Sequence, residues 1–209
     1  MPGRKEPEEE RRRAILRAAY TVAARERLTG LTARAVAAEA GVSSGLVFFY
    51  FGSIEKLQIA LLDWLLERAV ASGEATEVAL PEDVPAGDPA ARLIAVIAHD
   101  VRGLPRQRDR VELFFDFWVL GTRRPVIRRK ISLALARLRA SFVPLAQAVI
   151  DAEPERWAGT TAEGLANVVT SFLRGCSLQL VTNPTQFDVE QSLAAIEALV
   201  RHPVAAASR

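Results

Sequence analysis

The feature that most constrains the fold is a succession of helix starts and stops in residues 32–57, TARAVAAEAGVSSGLVFFYFGSIEKL. Thr32 can cap a short helix, because its hydroxyl accepts a hydrogen bond from a backbone N–H of the first turn. Gly41 can end that helix, since glycine adopts the left-handed C-terminal conformation at little cost. Ser43 can cap a second short helix, which we expect to run from Ser44 to about Phe49.

These signals place two short helices around a turn of very few residues, and Ser53 can cap a third helix that starts at Ile54. Helices joined by so short a turn cannot lie antiparallel, so they cross at a steep angle. The second helix is then pushed outward, which is the geometry of a DNA-binding helix-turn-helix. The apolar residues of the first helix share one face, and we expect them to help form the core of a small helical domain.

Residues 11–62 resemble the N-terminal domain of the tetracycline-repressor (TetR) family of bacterial transcription regulators. The resemblance covers about a quarter of the chain and holds at fixed offsets. It is carried by Ile15 and Ala19 in the helix Ala14–Ala24, by Gly30 and Thr32, by the run from Ala37 to Ser43, and by Gly45, Phe51, Ser53 and Leu57. The resemblance implies an all-α protein with a helix-turn-helix DNA-binding domain at residues 1–58 and an effector-binding and dimerisation domain at residues 59–209. Residues 1–9 are mostly charged and contain two prolines, so we expect them to be disordered.

The resemblance places the DNA contacts on the second short helix, its turn and the ends of its neighbours. The predicted contact residues are Thr32, Arg34, Ser43, Ser44, Gly45, Leu46, Phe48, Phe49, Tyr50 and Lys56. Three positions depart from the family pattern, because members often have a basic residue at Ser44, a tyrosine at Phe48 and a lysine at Ile54. Base reading would then rest on a few hydroxyl groups and on apolar contacts from Leu46 and Phe48 to thymine methyl groups, with DNA shape supplying more of the specificity. The alternative is that the aromatic run at residues 48–51 is simply core.

The remainder of the chain follows a helical pattern after a predicted loop at residues 72–89. The five predicted helices span residues 90–104, 106–121, 125–152, 161–181 and 188–201. The second of them has Val111, Phe114, Phe115 and Trp118 at i, i+3, i+4 and i+7, so we expect these side chains to face inward. Pro144 lies inside the third and should kink it, because proline lacks an N–H and clashes with the preceding turn.

C-terminal domains of the family usually enclose a small-molecule site, so the resemblance implies an effector, which we expect to be apolar or aromatic. The candidate effector residues are Trp64, His99, Phe114, Phe115, Trp118, Phe142, Phe172 and Cys176. Core packing also explains the aromatic residues and Cys176, and His99 fits a surface position better than a ligand contact. Asp116 has three interpretations: an exposed position, a salt-bridge partner of a neighbouring arginine, or an anchor for a cationic ligand.

The last two predicted helices are apolar on more than one face, which indicates deep burial or contact with another chain. By resemblance, they form a four-helix interface in a homodimer, and a dimer would bind paired half-sites on DNA. The predicted interface residues are Phe172, Leu173, Leu180, Leu193, Ile196 and Val200. The alternative is burial within a single chain.

Composition, charge and the motifs that are missing exclude several classes of function. Residues 11–56 hold eight basic and three acidic side chains, a net charge of +5 that suits double-stranded DNA, although ordinary solvated helix faces would also carry it. The single cysteine excludes an internal disulfide and fits the cytoplasm. The N-terminus has no signal-peptide pattern, and we expect no membrane span. Since no metal-ligand spacing, phosphate loop or catalytic cluster is found, we predict no cofactor, no metal site and no enzymatic activity.

The sequence therefore predicts a cytoplasmic, homodimeric regulator that binds a palindromic operator and is released by a small apolar effector. Repression is the family default, and an activator or co-regulator is the alternative that the residues leave open. The alternative is a ligand-binding protein of the same fold with weak or no specific DNA binding, which the departures at Ser44, Phe48 and Ile54 motivate. The residues name neither the effector nor the operator.

Overall fold

The structure is a computed structural model that describes residues 8–71 and 87–201, with the backbone alone for residues 68–71. All regular structure in these ranges is helical, which confirms the predicted fold class. The helices are α1 (Glu8–Glu26), α2 (Ala33–Ala40), α3 (Ser44–Phe51), α4 (Ile54–Ala71), α5 (Pro89–Gly103), α6 (Arg108–Arg123), α7 (Pro125–Ala152), α8 (Ala162–Thr182) and α9 (Val189–Arg201). A short 3-10 helix, Leu104–Gln107, joins α5 to α6.

Two expectations fall largely outside the described residues. The predicted loop at residues 72–89 lies outside them up to residue 86, and the predicted disorder lies outside them for residues 1–7. Glu8 and Glu9 were expected to be disordered, but they form the first turn of α1. Negative side chains at this end of a helix are favourable, because they face the positive end of the helix dipole.

The chain divides into two compact units. The first holds the residues up to Arg68 together with Asp109–Ile131, and the second holds Ala69–Arg108 together with the residues from Ser132 onward. The predicted domain division after residue 58 stays a prediction.

In the first unit, α2 packs against both α1 and α3. Its most deeply buried large side chains are Ile15, Val22, Val36, Val47, Leu57, Leu61, Leu62, Leu113, Phe117 and Ile127. Gly121, near the end of α6, lies against α7, since a Cβ there would be in van der Waals contact with the backbone of Arg128 at 3.4 Å. Helices from both parts of the sequence therefore share one core.

The prediction for the inward face of α6 is wrong for most of its residues. Leu113 and Phe117 are fully buried, whereas Phe114 and Phe115 are half-buried and Trp118 is exposed. Of the expected set, Val111 alone is buried. The helix is apolar around most of its circumference over these residues, so spacing alone did not determine which stripe meets the core.

The second unit has a core formed by α5, the second half of α7, α8 and α9. The buried residues of this core include Leu93, Ile97, Val101, Phe142, Val149, Leu165, Val169, Leu173, Cys176, Leu193, Ile196 and Val200. Two buried hydroxyls of α8 are satisfied within the helix, since Thr170 donates to the carbonyl of Ala166 and Ser177 donates to that of Leu173. This back-bonding leaves no penalty from a buried unpaired hydroxyl at either position.

Helix α7 is long and apolar enough to span a bilayer by length and composition, so the expectation of no such segment is wrong on that criterion. Of the 18-residue window that meets this criterion, 17% is buried. The buried residues of α7 include Ile127 and Ile131 in the first unit and Phe142 and Val149 in the second. Helices α3 and α4 also meet this length and composition criterion if they are counted as one segment, although the chain bends by 69° at their junction. Helix α7 continues through Pro144, and the predicted kink there stays a prediction.

Candidate nucleic-acid interface

Helices α2 and α3 are held at their turn by the caps that the sequence predicts. The Thr32 hydroxyl accepts a hydrogen bond from the Ala35 N–H at 3.1 Å. Gly41 has a left-handed φ of 65°, and the following Val42 N–H donates to the Ala37 carbonyl at 2.9 Å. The Ser43 hydroxyl accepts from the Leu46 N–H at 3.2 Å. These bonds satisfy part of the free backbone groups at the two helix ends and fix the turn.

The junction between α3 and α4 is equally tight. Gly52 has φ of 76°, and its N–H donates to the Phe48 carbonyl at 2.7 Å. The Ser53 hydroxyl accepts from the Lys56 N–H at 3.2 Å, which caps α4 as predicted. The Lys56 side chain folds back over Gly52, where an added Cβ would lie 3.7 Å from the Lys56 Nζ. A cationic group is thereby held beside the C-terminal end of α3.

Helix α3 has one buried and one exposed face. Val47 and Phe51 are buried, while Leu46 and Tyr50 are half-buried. Phe48 is 46% exposed and Phe49 is 76% exposed. The alternative that residues 48–51 are simply core therefore fails for Phe48 and Phe49, although it holds for Phe51.

The exposed surface of this segment has almost no polar side chains. The exposed residues from 41 to 52 are Gly41, Ser43, Gly45, Phe48, Phe49 and Gly52. No side chain between residues 40 and 54 carries a charge. The hydroxyls of Ser43, half-buried Ser44 and half-buried Tyr50 are the hydrogen-bonding groups that this segment offers to a partner. The face therefore combines three glycines, a hydroxyl and two large aromatic rings.

Positive charge lies at the edges of the helix-turn-helix. Arg34, in the first turn of α2, and Lys56, in the first turn of α4, are both exposed. Arg25 is paired with Glu26 at 2.9 Å and with Glu39 at 3.3 Å. The hydrogen bonds to these two carboxylates raise the pKa of Arg25, so it stays charged and engaged within the protein. The Arg12 guanidinium lies 5.2 Å from the centre of the Phe51 ring.

An ion-pair cluster joins the end of α1 to α6 within the first unit. Arg27 donates to Glu112 Oε2 at 2.6 Å and to Asp116 Oδ1 at 2.9 Å. The Leu28 N–H also donates to the second oxygen of Asp116, at 3.4 Å. The salt-bridge interpretation of Asp116 is therefore confirmed. Sequence reasoning did not identify Arg27 or Glu112, because the two residues lie far apart in the sequence.

The effector candidates fall into two groups, one in each unit. In the first unit, Phe115 and Trp118 stack with ring centres 5.6 Å apart, Phe114 lies beside both, and Trp64 packs on Tyr20 at 5.5 Å. In the second unit, Phe142 and Cys176 are buried in the core, Phe172 packs against it and His99 is exposed. Their role in ligand binding stays a prediction. Among the residues that the structure describes, no three His, Cys, Asp or Glu side chains are grouped to hold a metal ion.

The predicted dimer residues lie in or against the core of the second unit, and their role in a dimer interface stays a prediction. Leu173, Leu180, Leu193, Ile196 and Val200 are buried inside the chain's own second unit, and Phe172 is half-buried against its core. Side chains with so little exposed area can contribute little to an interface with another molecule. The leucines and isoleucines of α8 and α9 give the strongest periodic signal, and this signal marks the inward faces of the two helices. The large apolar residues that remain exposed on these helices are Val168, Leu178 and Leu199.

Two family models together match most of the chain. Residues 15–61 match bacterial regulatory proteins of the tetR family, and residues 89–204 match the C-terminal domain of BetI-type transcriptional repressors. The HTH-type transcriptional regulator BetI of Rhizobium meliloti (strain 1021) is 26% identical over 187 residues, which cover 90% of this chain and 86% of that protein. A regulator of the same description from Brucella abortus (strain 2308) is 28% identical over 133 residues, 64% of each chain.

Solved structures share the fold. A transcriptional regulator from Saccharomonospora viridis, in complex with choline, superposes with a TM-score of 0.72 at 18% identity, covering 94% of this chain and 98% of that one. A TetR transcription regulator from Haloarcula marismortui ATCC 43049 gives a TM-score of 0.72 at 20% identity, covering 92% and 95%.

Proposed function

Because the chain belongs to the TetR family of transcriptional regulators and has a C-terminal domain of the BetI type, we propose that it acts in the cytoplasm as a ligand-controlled repressor. It binds a palindromic operator as a homodimer and leaves the operator when a small molecule binds. The observation that carries the proposal is the capped helix α3, which holds Phe48 and Phe49 outside its own domain's core. We assign DNA binding to residues 1–58 and effector binding and dimerisation to residues 59–209.

The DNA contacts follow from the exposed groups of the first unit. Helix α3 enters the major groove, and the N-terminal ends of α2 and α4 face the phosphates on either side. Arg34 and Lys56 bind those phosphates, helped by backbone N–H groups of the two helix starts. The contact set consists of Thr32, Arg34, Ser43, Ser44, Gly45, Leu46, Phe48, Phe49, Tyr50 and Lys56.

The homodimer forms through the exposed stripes of α8 and α9. Val168, Gly175 and Leu178 follow one another at helical spacing, and the space at Gly175 is open, with no atom within 4 Å of an added Cβ. On α9, exposed Leu199 lies four residues after exposed Ala195. Small residues allow two helices to approach closely, and the flanking large apolar residues supply area that the chain itself leaves unburied. Two copies bring two α3 helices to half-sites about 34 Å apart.

The effector is a small apolar or aromatic molecule bound by rings of the C-terminal domain. The stacked pair Phe115 and Trp118 supports this class, since half-exposed rings gain free energy when an apolar ligand covers them. A quaternary amine such as choline is the second candidate. The BetI-type match and the choline complex of the Saccharomonospora viridis regulator favour it, and the faces of aromatic rings bind such cations. Asp116 is engaged with Arg27, so the rings would carry that contact.

A binding titration tests the proposal. Full-length protein is added to a fluorescent duplex from the region upstream of its own gene and to a shuffled duplex, and anisotropy is recorded at several salt concentrations. Preference for the upstream duplex, two chains per site and affinity that falls steeply with salt are expected. Choline and a panel of apolar aromatic compounds are then added, and the active compound should dissociate the complex because it binds the two conformers unequally.

The second candidate function is a ligand-binding protein that has lost specific DNA recognition. The lack of charged side chains across residues 41–53 favours it, because base edges are usually read by arginine, lysine, asparagine or glutamine. Equal affinity for upstream and shuffled duplexes, together with tight binding of a small molecule, would favour this function over the repressor.

A further inference from the structure

Helix α3 presents a surface that the described residues of the chain leave exposed. We call Gly45, Phe48 and Phe49 the phenylalanine face, since Phe48 and Phe49 follow Gly45 at i+3 and i+4 and all three residues are exposed. A Cβ added at Gly45 would meet little, its nearest neighbour being the Ser43 hydroxyl at 3.8 Å. The two rings therefore stand beside an open patch of backbone.

Folding alone does not explain why the Phe49 ring is exposed. It is 76% exposed, and its ring contact is an edge-on one with Tyr50 at 5.3 Å. Leaving an aromatic ring in water gives up the free energy that its burial would supply. In contrast, Val47 and Phe51 on the opposite face account for the packing of α3 into its domain. Phe48 and Phe49 are thus available to a partner.

The chemistry of the major groove identifies the group that such rings can contact. Hydrogen-bond donors and acceptors line the base edges, and the C5-methyl group of thymine is the apolar feature among them. The phenylalanine face offers no hydrogen-bonding side chain of its own. We propose that Phe48 and Phe49 recognise thymine methyl groups, so the operator half-site is specified by the positions of its thymines. This inference rests on the proposed DNA-binding function and names what that site reads.

The positions of the charged and apolar side chains around α3 support this assignment. The exposed cations Arg34 and Lys56 lie at the starts of α2 and α4, outside α3. Contacts from such positions reach phosphates, which add affinity and carry no sequence information. Sequence preference must therefore come from the face between them, where large apolar side chains predominate. A half-site rich in guanine would offer these rings polar base edges and no methyl group.

Replacement of thymine by deoxyuridine tests the proposal, since it removes the methyl group and leaves the Watson–Crick pairing unchanged. The best-bound duplex is first selected from a random library, and two versions are then prepared with either dTTP or dUTP. We expect wild-type protein to lose about fourfold in affinity for each contacted methyl group, and about tenfold or more for a site with several. Phe49→Ala should lose less affinity than the wild type on this replacement, because only the methyl contacts of Phe48 remain. Because this ring is mostly exposed, the variant should melt at the wild-type temperature.

Val126→Ala is the matched control, since Val126 is also an exposed apolar residue but lies on α7. This variant should lose as much affinity as the wild type when thymine is replaced by deoxyuridine. If Phe49→Ala and Phe48→Ala both lose as much as the wild type when thymine is replaced, the methyl effect belongs to DNA shape and the proposal is overturned. Equal wild-type affinity for the two versions would also overturn it, while leaving the DNA-binding function intact. If the wild type selects no duplex from the library, the regulator function itself fails and this inference with it.

Discussion

The ion-pair cluster at the end of α1 should stabilise the first unit, and replacement of Arg27 measures by how much. Its guanidinium donates to Glu112 at 2.6 Å and to Asp116 at 2.9 Å, and the two carboxylate side chains are each 23% exposed. Arg27→Ala removes both contacts. It also leaves two like charges one helical turn apart on α6, which is unfavourable in itself.

The expected loss in the free energy of unfolding follows from the exposure of Arg27 and from its backbone conformation. Hydrogen bonds to charged groups contribute about 1.5–3 kcal/mol, but the Arg27 side chain is 39% exposed, so solvent screens part of this. We expect Arg27→Ala to lower the free energy of unfolding by about 2 kcal/mol. Arg27 also has a left-handed φ of 65°, a conformation that costs a non-glycine residue about 1 kcal/mol. Arg27→Gly should therefore be about 1 kcal/mol more stable than Arg27→Ala, although both lack the guanidinium.

Urea unfolding followed by circular dichroism is the assay, at one fixed protein concentration because the stability of a dimer depends on concentration. Arg25→Ala is the control. It removes a more exposed arginine from the same end of α1, and its unfolding midpoint should stay close to that of the wild type. Wild-type midpoints for both Arg27 variants, or an Arg27→Gly protein that unfolds before Arg27→Ala, would refute the reasoning.

Three further predictions concern the turn, the dimer and the core. Ser43→Ala removes the cap of α3 and should cost about 1 kcal/mol in urea unfolding, while Ser43→Asp should restore most of it; no difference between the two variants would contradict the cap. The double variant Leu178→Glu/Leu199→Glu should give folded monomers in analytical ultracentrifugation. In contrast, Leu193→Glu should unfold the protein, because Leu193 is buried in the core. A double variant that remains dimeric would locate the interface elsewhere. Burial raises the pKa of the Cys176 thiol to about 11. This thiol should therefore resist alkylation by iodoacetamide at pH 8 in the native protein and react once urea unfolds the chain. Rapid labelling of the native protein would show instead that the thiol is accessible.

The helix-turn-helix could be predicted from the sequence because its signals are local. Thr32, Gly41 and Ser43 each act on backbone groups within a few residues, and the structure confirms all three caps. Val47 and Phe51, at i and i+4, are the buried residues of α3, so this helix packs through a single stripe. The TetR resemblance stated from these residues is confirmed by the family matches.

The faces of the later helices could not be predicted in the same way. Helix α6 is apolar on several sides, so Phe114 and Phe117 satisfy equally good helical patterns, and the tertiary partner decides which is buried. On α8 and α9 the strongest apolar pattern marks the chain's own core, while the exposed stripe contains small residues such as Ala195. The Arg27–Glu112 contact joins residues 85 apart in sequence, and no local pattern specifies such a pair.

The most direct test of the account is the equilibrium affinity of the full-length protein for duplex DNA from upstream of its own gene, measured beside a shuffled duplex of equal length and composition. The account predicts binding of two chains per site, with an affinity at least about a thousandfold higher than for the shuffled duplex at the same salt concentration. Equal affinities for the two duplexes would contradict the claim that α3 is a DNA-reading helix.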